Sequence, residues 1–529
     1  MKPSISLAQL VARLPNAQTT TASARLAETK ITGISHDSRH VVAGDLFVCL
    51  RGQAFDGHLY AAEAVRKGAV ALIALHDSLP EAEEPADRNE LNELGAASTP
   101  AVPVIFVKDT RHALPLLACT LYHDPSHAMI MVGVTGTNGK TTTTRMIASI
   151  LGAAGHKVGT IGTLGSELDG VPLPSDHTTP EADQLQSLLA QMRNGGAQAV
   201  VMEVSSHALA QWRTDGIAFN IGVFTNLTQD HLDFHGTMER YFEAKARLFA
   251  EYPILYPRPD KTMFASILNV GMWEGRLMVT VARGDILTYT PSQAPGNLHA
   301  IDVHLKPDSA SFTLDYDTGV EHWQYPITLP VGGAFQIGNA LGAIGVCLKL
   351  KIDRETIALG LAQLPPVPGR FEAIPNTRGF SVIIDYAHTP DGLENVLRSA
   401  RELNPSRLLC VFGCGGNRDR AKRPVMGRLA ATLAEVAIVT SDNPRHEEPQ
   451  AIITEILTGM DKDADANLTA DIHVEADRRE AIALALRLAL PGDMIVIAGK
   501  GHEDYQIIGD TKHHFDDKEV AKQILEQID

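Results

Sequence analysis

The chain has 529 residues, 44% hydrophobic and 21% charged, with a formal net charge of −17. That size suits about three globular domains, and the acidic balance excludes a sequence-independent nucleic-acid binder, which needs a basic face. No apolar run approaches the ~20 residues of a membrane span, so no membrane insertion is expected, and five cysteines without a Cys-x-x-Cys pair fit reduced thiols in a cytoplasmic protein.

Three α/β regions are expected: 1–108, 109–367 and 368–529. In the first, Val70–Leu75 and Val102–Val107 read as short buried strands. Asp77–Pro100 between them is polar and acidic and reads as a surface loop. Lys108–His127 reads as a connecting helix with its exit. The second region opens with apolar strands alternating with helical stretches: Ala128–Thr135, Val200–Ser205 and Ile221–Asn226. Such alternation predicts a mainly parallel sheet covered by helices. Residues 276–332 carry alternating patterns that suit antiparallel strands, and Phe335–Leu350 reads as a helix. In the third region, Ser381–Tyr386, Arg407–Phe412, Val436–Thr440 and Met494–Ala498 again alternate with helices, a Rossmann-like pattern in which ligands bind at the carboxyl ends of the strands.

Residues 133–142 read Gly-Val-Thr-Gly-Thr-Asn-Gly-Lys-Thr-Thr, between an apolar run and a helical stretch, Thr141–Ala154. Strand, glycine loop and helix place backbone N–H groups and a helix N-terminus around phosphate. Lys140 suits the outer phosphates, and the Thr141 hydroxyl suits Mg²⁺. The general nucleotide loop wants glycine at Val134, so the pattern is a variant of it. Glu203 closes the run Ala199–Met202, where a strand-end carboxylate near a phosphate loop can hold Mg²⁺ or cap a helix. His231 and His235 are four apart and would share a helical face. Without a His-Glu-x-x-His pattern or a nearby cysteine, a single histidine as an auxiliary Mg²⁺ ligand suits better than zinc. Lys245, in a helical stretch, reads by itself as an ordinary solvated lysine.

Four polar clusters follow four strands of the last region. They are Asp385-Tyr-Ala-His388-Thr-Pro390, Gly413-Cys-Gly-Gly-Asn-Arg418-Asp-Arg420, Ser441-Asp442-Asn443-Pro444-Arg445 and Gly499-Lys-Gly-His-Glu503-Asp-Tyr505. Each could be a structural turn, but together they suit an anion or amino-acid site.

The combination resembles the Mur ligases across essentially the whole chain. His36-Asp37-Ser38-Arg39 with Gly44-Asp45-Leu46-Phe47 resembles the family's N-terminal uridine-nucleotide module, and Asp442-Asn-Pro-Arg445 resembles the signature of its diaminopimelate-adding branch. The resemblance implies an ATP-dependent carbon–nitrogen ligase of cytoplasmic peptidoglycan precursor synthesis. Its substrates would be ATP, UDP-N-acetylmuramoyl-L-alanyl-D-glutamate and meso-2,6-diaminopimelate, and it would act as a monomer with two Mg²⁺ ions. Residue by residue, it implies ATP contacts from Gly136, Thr137, Asn138, Gly139, Lys140, Thr141, Thr142, Asn339 and Arg370. It implies muramoyl-peptide nucleotide contacts from Ser38, Thr178, Thr179, Ser205, Gln211 and Arg213. Arg418, Asp442, Asn443, Pro444, Arg445, Gly499 and Glu503 would hold diaminopimelate. Lys140, Glu203, His231 and Lys245 would be the catalytic set, with Thr141, Glu203, His231 and Lys245, as N6-carboxylysine, around the metals.

Three positions depart from the family's pattern: Asn269-Val-Gly-Met272 replaces Asn-x-Asp-Asp, Gln336 replaces Asn beside Asn339, and His177 replaces Asn before Thr178. Competing readings are lysine addition, folate polyglutamylation, and an ATP-hydrolysing switch protein. Asp442-Asn-Pro-Arg445 and the uridine-like module speak against the first two. A requirement for both co-substrates would separate a ligase from the switch.

Overall fold

The structure, a computed structural model, describes residues 3–14, 16–19, 21–52, 55–75, 102–175, 177–291, 294–461 and 468–527. The acidic stretch Asp77–Pro100 expected as a surface loop lies outside the described residues.

The first unit is a four-stranded parallel sheet, Gly33–Ser35, Asp45–Val48, Ala71–Leu75 and Val104–Val107, in that spatial order. Helix Thr110–Leu121 begins where the Asp109 carboxylate caps the amides of Arg111 and His112. The sequence reading puts this helix at the start of the middle region. It buries Leu114, Leu117 and Leu121 in the core of the first sheet.

The middle unit holds an eleven-stranded sheet. Its centre is parallel: Val158–Gly162, Ala199–Glu203, Ile130–Thr135, Ile221–Phe224, Ala265–Asn269 and Asp285–Thr290, in spatial order. Runs such as Val200-Val-Met202 are apolar throughout because helices cover both faces. Helices Lys140–Ala153, Phe335–Lys349 and Arg354–Ala362 pack on one face, and Ala182–Asn194 and Met238–Ala250 on the other. The antiparallel part starts later than the alternation predicts, with Leu298–Leu305, Ala310–Asp317 and His322–Leu329. Trp273–Val281 is a helix and Asp285–Thr290 a parallel strand. The helix is set by contact rather than propensity: a Cβ on Gly275 would lie 1.6 Å from the Asn269 carbonyl oxygen, so only glycine lets it seat there.

The last unit is a six-stranded sheet in the order Glu372–Ala373, Ser381–Asp385, Met494–Ala498, Leu408–Phe412, Val436–Val439 and Asp471–Val474, parallel apart from the first short strand. Its helices form two cores, one on each face. The four polar clusters leave four neighbouring strands and therefore meet along one edge. All five cysteines are buried and free. Among the described residues no helix is long and apolar enough to cross a membrane.

Candidate active site

The glycine loop leaves the central strand Ile130–Thr135, whose neighbours on both sides come from other crossovers, so a crevice opens at its carboxyl end. Gly136 (φ 153°) and Gly139 (φ 83°) turn the chain into the helix that begins at Lys140. A Cβ on Gly136 would lie 1.8 Å from Thr225 Oγ1, and one on Gly139 would lie 2.3 Å from Asn339 Oδ1. Thr225 Oγ1 donates to the Asn138 carbonyl (2.6 Å), and Asn226 Oδ1 accepts the Asn138 amide (2.8 Å). Neither Thr225 nor Asn226 is in the sequence-derived site. Lys140 Nζ donates to the carbonyls of Gly136 (3.0 Å) and Thr137 (2.8 Å).

Asn339 accepts from the Thr143 hydroxyl at 3.4 Å and donates to Gln336 Oε1 at 2.8 Å. Gln336, the longer replacement, reaches on to the Arg370 carbonyl at 3.5 Å. The Arg370 guanidinium donates to Thr141 Oγ1 at 3.2 Å. Met272, at another departure, accepts the Leu227 amide through its sulfur at 3.4 Å, and Asn269 Nδ2 donates to the Thr225 carbonyl at 2.7 Å.

Glu203 is 1% exposed, and its carboxylate accepts from the Thr163 amide (2.8 Å) and hydroxyl (3.1 Å). It has no ion-pair partner within 4 Å among the described residues. A buried carboxylate with no basic group in ion-pair distance, lining the same cavity as Thr141, is a donor that fits a hard cation. Thr178 meets the Thr163 hydroxyl at 3.2 Å, and Thr179 Oγ1 donates to the Glu203 carbonyl at 2.9 Å. Ser205 caps the helix Ser206–Ala210. Arg213 donates to Gln211 Oε1 (2.7 Å) and the Thr179 carbonyl (3.1 Å) and pairs with Glu181 at 3.0 Å. Ser38 lies in the first unit, its hydroxyl donating to Glu63 at 3.3 Å. His36 and Asp183, 2.8 Å apart, tie that unit to the middle one.

His231 stands at the N-terminus of the short helix Leu232–His235 with φ 53°, its ring 3.2 Å from Asp230. His235 points elsewhere, its Nε2 2.9 Å from Ser206 Oγ. Among the described residues no group of three or more His, Cys, Asp or Glu side chains converges as a metal site. Lys245, read from the sequence as solvated, is 1% exposed. Its Nζ donates to the Gly136 carbonyl at 2.8 Å and lies 4.6 Å from the Tyr241 ring centre. Burial and then the Lys140 charge pull its pKa well below the ordinary lysine value, against the opposing pull of Asp230.

The second group of residues sits on the last sheet. Asn443 Oδ1 accepts from Lys500 Nζ (3.2 Å) and the Ile507 amide (2.9 Å), while its Nδ2 donates to Glu503 Oε2 (2.9 Å). Lys500 is fully buried, 3.4 Å from Asp442 and 3.8 Å from Glu503. It is absent from the sequence-derived site although it stands in the Gly499-Lys-Gly turn. Gly499 takes φ 118°, and its amide donates to the Asp385 carbonyl at 3.1 Å. Arg445, at φ 53°, is pinned by backbone bonds to Ile507 and Gly509 and donates to the Gly416 carbonyl at 2.9 Å. Pro444 beside it is buried, and a Cβ on Gly416 would lie 1.9 Å from the Pro444 carbonyl oxygen. Neither Arg445 nor the exposed Arg418 has a carboxylate within ion-pair distance among the described residues. Burial and then the charge of Arg418 lower the Arg445 pKa. Two neighbouring guanidiniums with no carboxylate in ion-pair distance make a cationic patch of the kind that suits a carboxylate.

A cavity of about 720 Å³ joins the middle and last units. It brings together Thr137–Thr142, Thr178, Thr179, Glu203, Ser205, Arg213, His231, Asn339 and Arg370 of the expected residues, with Asp385, Tyr386 and His388 from the last unit. Gly136, Ser38, Gln211, Lys245 and the Asp442–Arg445 group do not line it. Lys245 reaches the loop from its buried side through the Gly136 carbonyl. The Asp442–Arg445 group is reached through Tyr386, whose hydroxyl donates to Glu503 at 3.3 Å.

Residues 134–347 match the Mur ligase middle domain, 369–501 the Mur ligase glutamate ligase domain, and 30–122 the Mur ligase family catalytic domain. The chain is 43% identical over 503 residues to a UDP-N-acetylmuramoyl-L-alanyl-D-glutamate–2,6-diaminopimelate ligase of Syntrophomonas wolfei, covering 94% of this chain and 95% of that one. It is also 43% identical over 525 residues to the enzyme of the same name from Gloeobacter violaceus, covering 99% and 98%. A solved structure of a ligase of that name is 30% identical, with a TM-score of 0.66 over 99% of each chain. A MurF ligase of Thermotoga maritima solved with ADP, 19% identical with a TM-score of 0.60 over 94% of this chain and 97% of that one, shares the fold. With matches to all three of its domains and 43% identity over nearly the whole length, this chain belongs to the Mur ligase family.

Proposed function

We propose that the chain is a cytoplasmic ATP-dependent ligase that joins 2,6-diaminopimelate to UDP-N-acetylmuramoyl-L-alanyl-D-glutamate in peptidoglycan precursor synthesis. A carboxylate is a poor electrophile, so the reaction needs an activated acyl group. The γ-phosphoryl of ATP passes to the side-chain carboxylate of D-glutamate, giving an acyl phosphate and ADP. A free amine of diaminopimelate then attacks the acyl carbon, and phosphate leaves.

On this reading Lys140 and the loop amides from Asn138 to Thr142 hold and neutralise the phosphates. Arg370 and Asn339 orient the nucleotide, and Ser38, Thr178, Thr179, Ser205, Gln211 and Arg213 hold the muramoyl-peptide nucleotide. Mg²⁺, held by Thr141, Glu203, His231 and a carbamate on Lys245, would withdraw charge from the phosphoryl oxygens when bound. Carbamylation turns an amine into an anionic oxygen ligand, and it requires the neutral amine that the burial of Lys245 favours. Asp442, Asn443 and Glu503 receive the cationic and polar groups of diaminopimelate, and Arg445 with Arg418 receives its far carboxylate.

The observation that carries the amino-acid assignment is the pair of guanidiniums, Arg418 and Arg445, without a carboxylate partner beside the fixed carboxylates of Asp442 and Glu503. Lysine, which lacks the far carboxylate, would leave that pair unmatched. The test is phosphate release across a panel of amino acids with the muramoyl-dipeptide nucleotide present. Release that requires diaminopimelate and fails with lysine or glutamate is expected; release indifferent to the amino acid would overturn the reading.

A further inference from the structure

We infer that Tyr386 is a positioning residue that aligns the diaminopimelate clamp with the phosphate end of the cavity. This rests on the ligase reading just given. Tyr386 follows the strand Ser381–Asp385 and lines the cavity. Its amide donates to the Gly369 carbonyl at 2.9 Å, next to Arg370. Its ring is held from several sides. The Arg370 guanidinium lies 4.9 Å from the ring centre, and the rings of His388 and His502 lie at 4.6 and 4.9 Å. A Cβ on Gly501 would lie 2.6 Å from Tyr386 Cβ, so that turn packs directly against the tyrosine.

Each end of this side chain contacts a different half of the reaction. At one end the ring carries Arg370, whose guanidinium reaches the Thr141 hydroxyl at 3.2 Å, at the start of the phosphate-loop helix. At the other, the hydroxyl donates to Glu503 Oε1 at 3.3 Å, and the second oxygen of Glu503 takes the Asn443 amide at 2.9 Å. Thr141, Arg370, Tyr386, Glu503 and Asn443 therefore form a continuous chain of contacts from the nucleotide loop to the clamp. Ligation demands that an amine held on one unit meet an acyl phosphate held on another, and small misplacements in such an encounter are costly. Tyr386 is the one link in that chain that touches both sides.

Tyr386→Phe separates positioning from packing, because it keeps the ring and removes only the hydroxyl. The experiment measures steady-state phosphate release by the full-length enzyme with diaminopimelate and with ATP as the varied substrate. The expected result is a rise of about ten-fold in KM for diaminopimelate, the size of one lost hydrogen bond to a charged group, with KM for ATP and thermal stability within about two-fold and a few degrees of wild type. Tyr386→Leu, which also removes the platform under Arg370, should raise KM for both substrates. A Tyr386→Phe enzyme whose KM for diaminopimelate matches wild type, or whose two KM values rise together, overturns the inference while leaving the ligase reading intact. A wild-type enzyme whose phosphate release does not saturate with diaminopimelate overturns both.

Discussion

Lys140 and Lys245 donate to the same backbone oxygen, the carbonyl of Gly136, at 3.0 and 2.8 Å. Two ammonium groups sharing one acceptor repel each other, and the more buried one is the better placed to give up its proton. That one is Lys245, whose pKa is driven down first by burial and then by Lys140. Because the folded state holds this proton less tightly than the unfolded chain, the contribution of Lys245 to stability improves as pH rises toward the ordinary lysine pKa. A neutral amine at this point can add CO₂. Lys245→Ala is expected to lose at least about a hundred-fold in activity, of the order expected for groups that stabilise phosphoryl-transfer charge. Short added carboxylates should restore part of it. Phosphate-release assays with and without added acetate or formate check this; full activity without rescue would remove the carbamate role.

Arg445 is held in the left-handed backbone region and aimed by a hydrogen bond to the Gly416 carbonyl. With its guanidinium held there, a substrate lacking that carboxylate leaves a charge unmatched. The penalty for such a mismatch is roughly 2–5 kcal/mol. Arg445→Ala should raise the KM for diaminopimelate by about thirty-fold or more, change kcat less, and narrow the preference for diaminopimelate over lysine. Competition kinetics with the two amino acids would show this, and an unchanged preference would reassign the far carboxylate to another residue.

Gly139 combines a φ of 83° with close packing against Asn339 Oδ1. Alanine there must strain the turn and push the Asn339 side chain away from Thr143. A destabilisation of about 1 kcal/mol or more is expected, together with weaker nucleotide binding. Thermal unfolding with and without ATP separates the two effects: Gly139→Ala should melt earlier and gain less from nucleotide than wild type does. An equal nucleotide-induced gain would show that the loop tolerates the side chain.

How much of this was readable from the sequence depended on distance along the chain. Met494–Ala498 was legible to the residue because a strand buried on both faces is apolar throughout. The phosphate loop was legible because its glycines, lysine and threonines are contiguous. Its supports were not: Asn226 acts on Asn138 across 88 residues of sequence. Lys500 is likewise defined by Asn443, 57 residues away. Lys245 did carry a signal. Tyr241, Ala244, Leu248 and Phe249 on its helix are buried, and 245 falls on that same stripe at i, i+3, i+4 spacing. A lysine on the apolar stripe is a buried lysine, whatever the average lysine does. Residues 276–281 fell within the stretch expected to be antiparallel strands because their Val and Thr residues favour strands, while the packing of Gly275 on the Asn269 carbonyl, invisible in the local pattern, favours the helix Trp273–Val281.

Asp385 gives the molecule a pH dependence with a definite sign. It is buried, accepts the amides of Phe371 (2.8 Å) and Ala387 (2.9 Å), and lies near Arg370. Burial outweighs those contacts and raises its pKa to about 6. Between its ordinary value of 3.8 and about 6, the folded protein binds more protons than the unfolded chain. Its contribution to stability is therefore fully present below about pH 4 and is lost as pH rises through about 6. The swing is roughly 3 kcal/mol at 1.36 kcal/mol per pKa unit. Asp385→Asn keeps the group neutral at every pH and should abolish this swing. Urea unfolding of both proteins from pH 4 to 7 tests it: the stability of wild type relative to Asp385→Asn should fall by about that amount as pH rises. A difference that stays constant across the range would mean that Asp385 is already ionised at pH 4, with the two amides and Arg370 prevailing over burial.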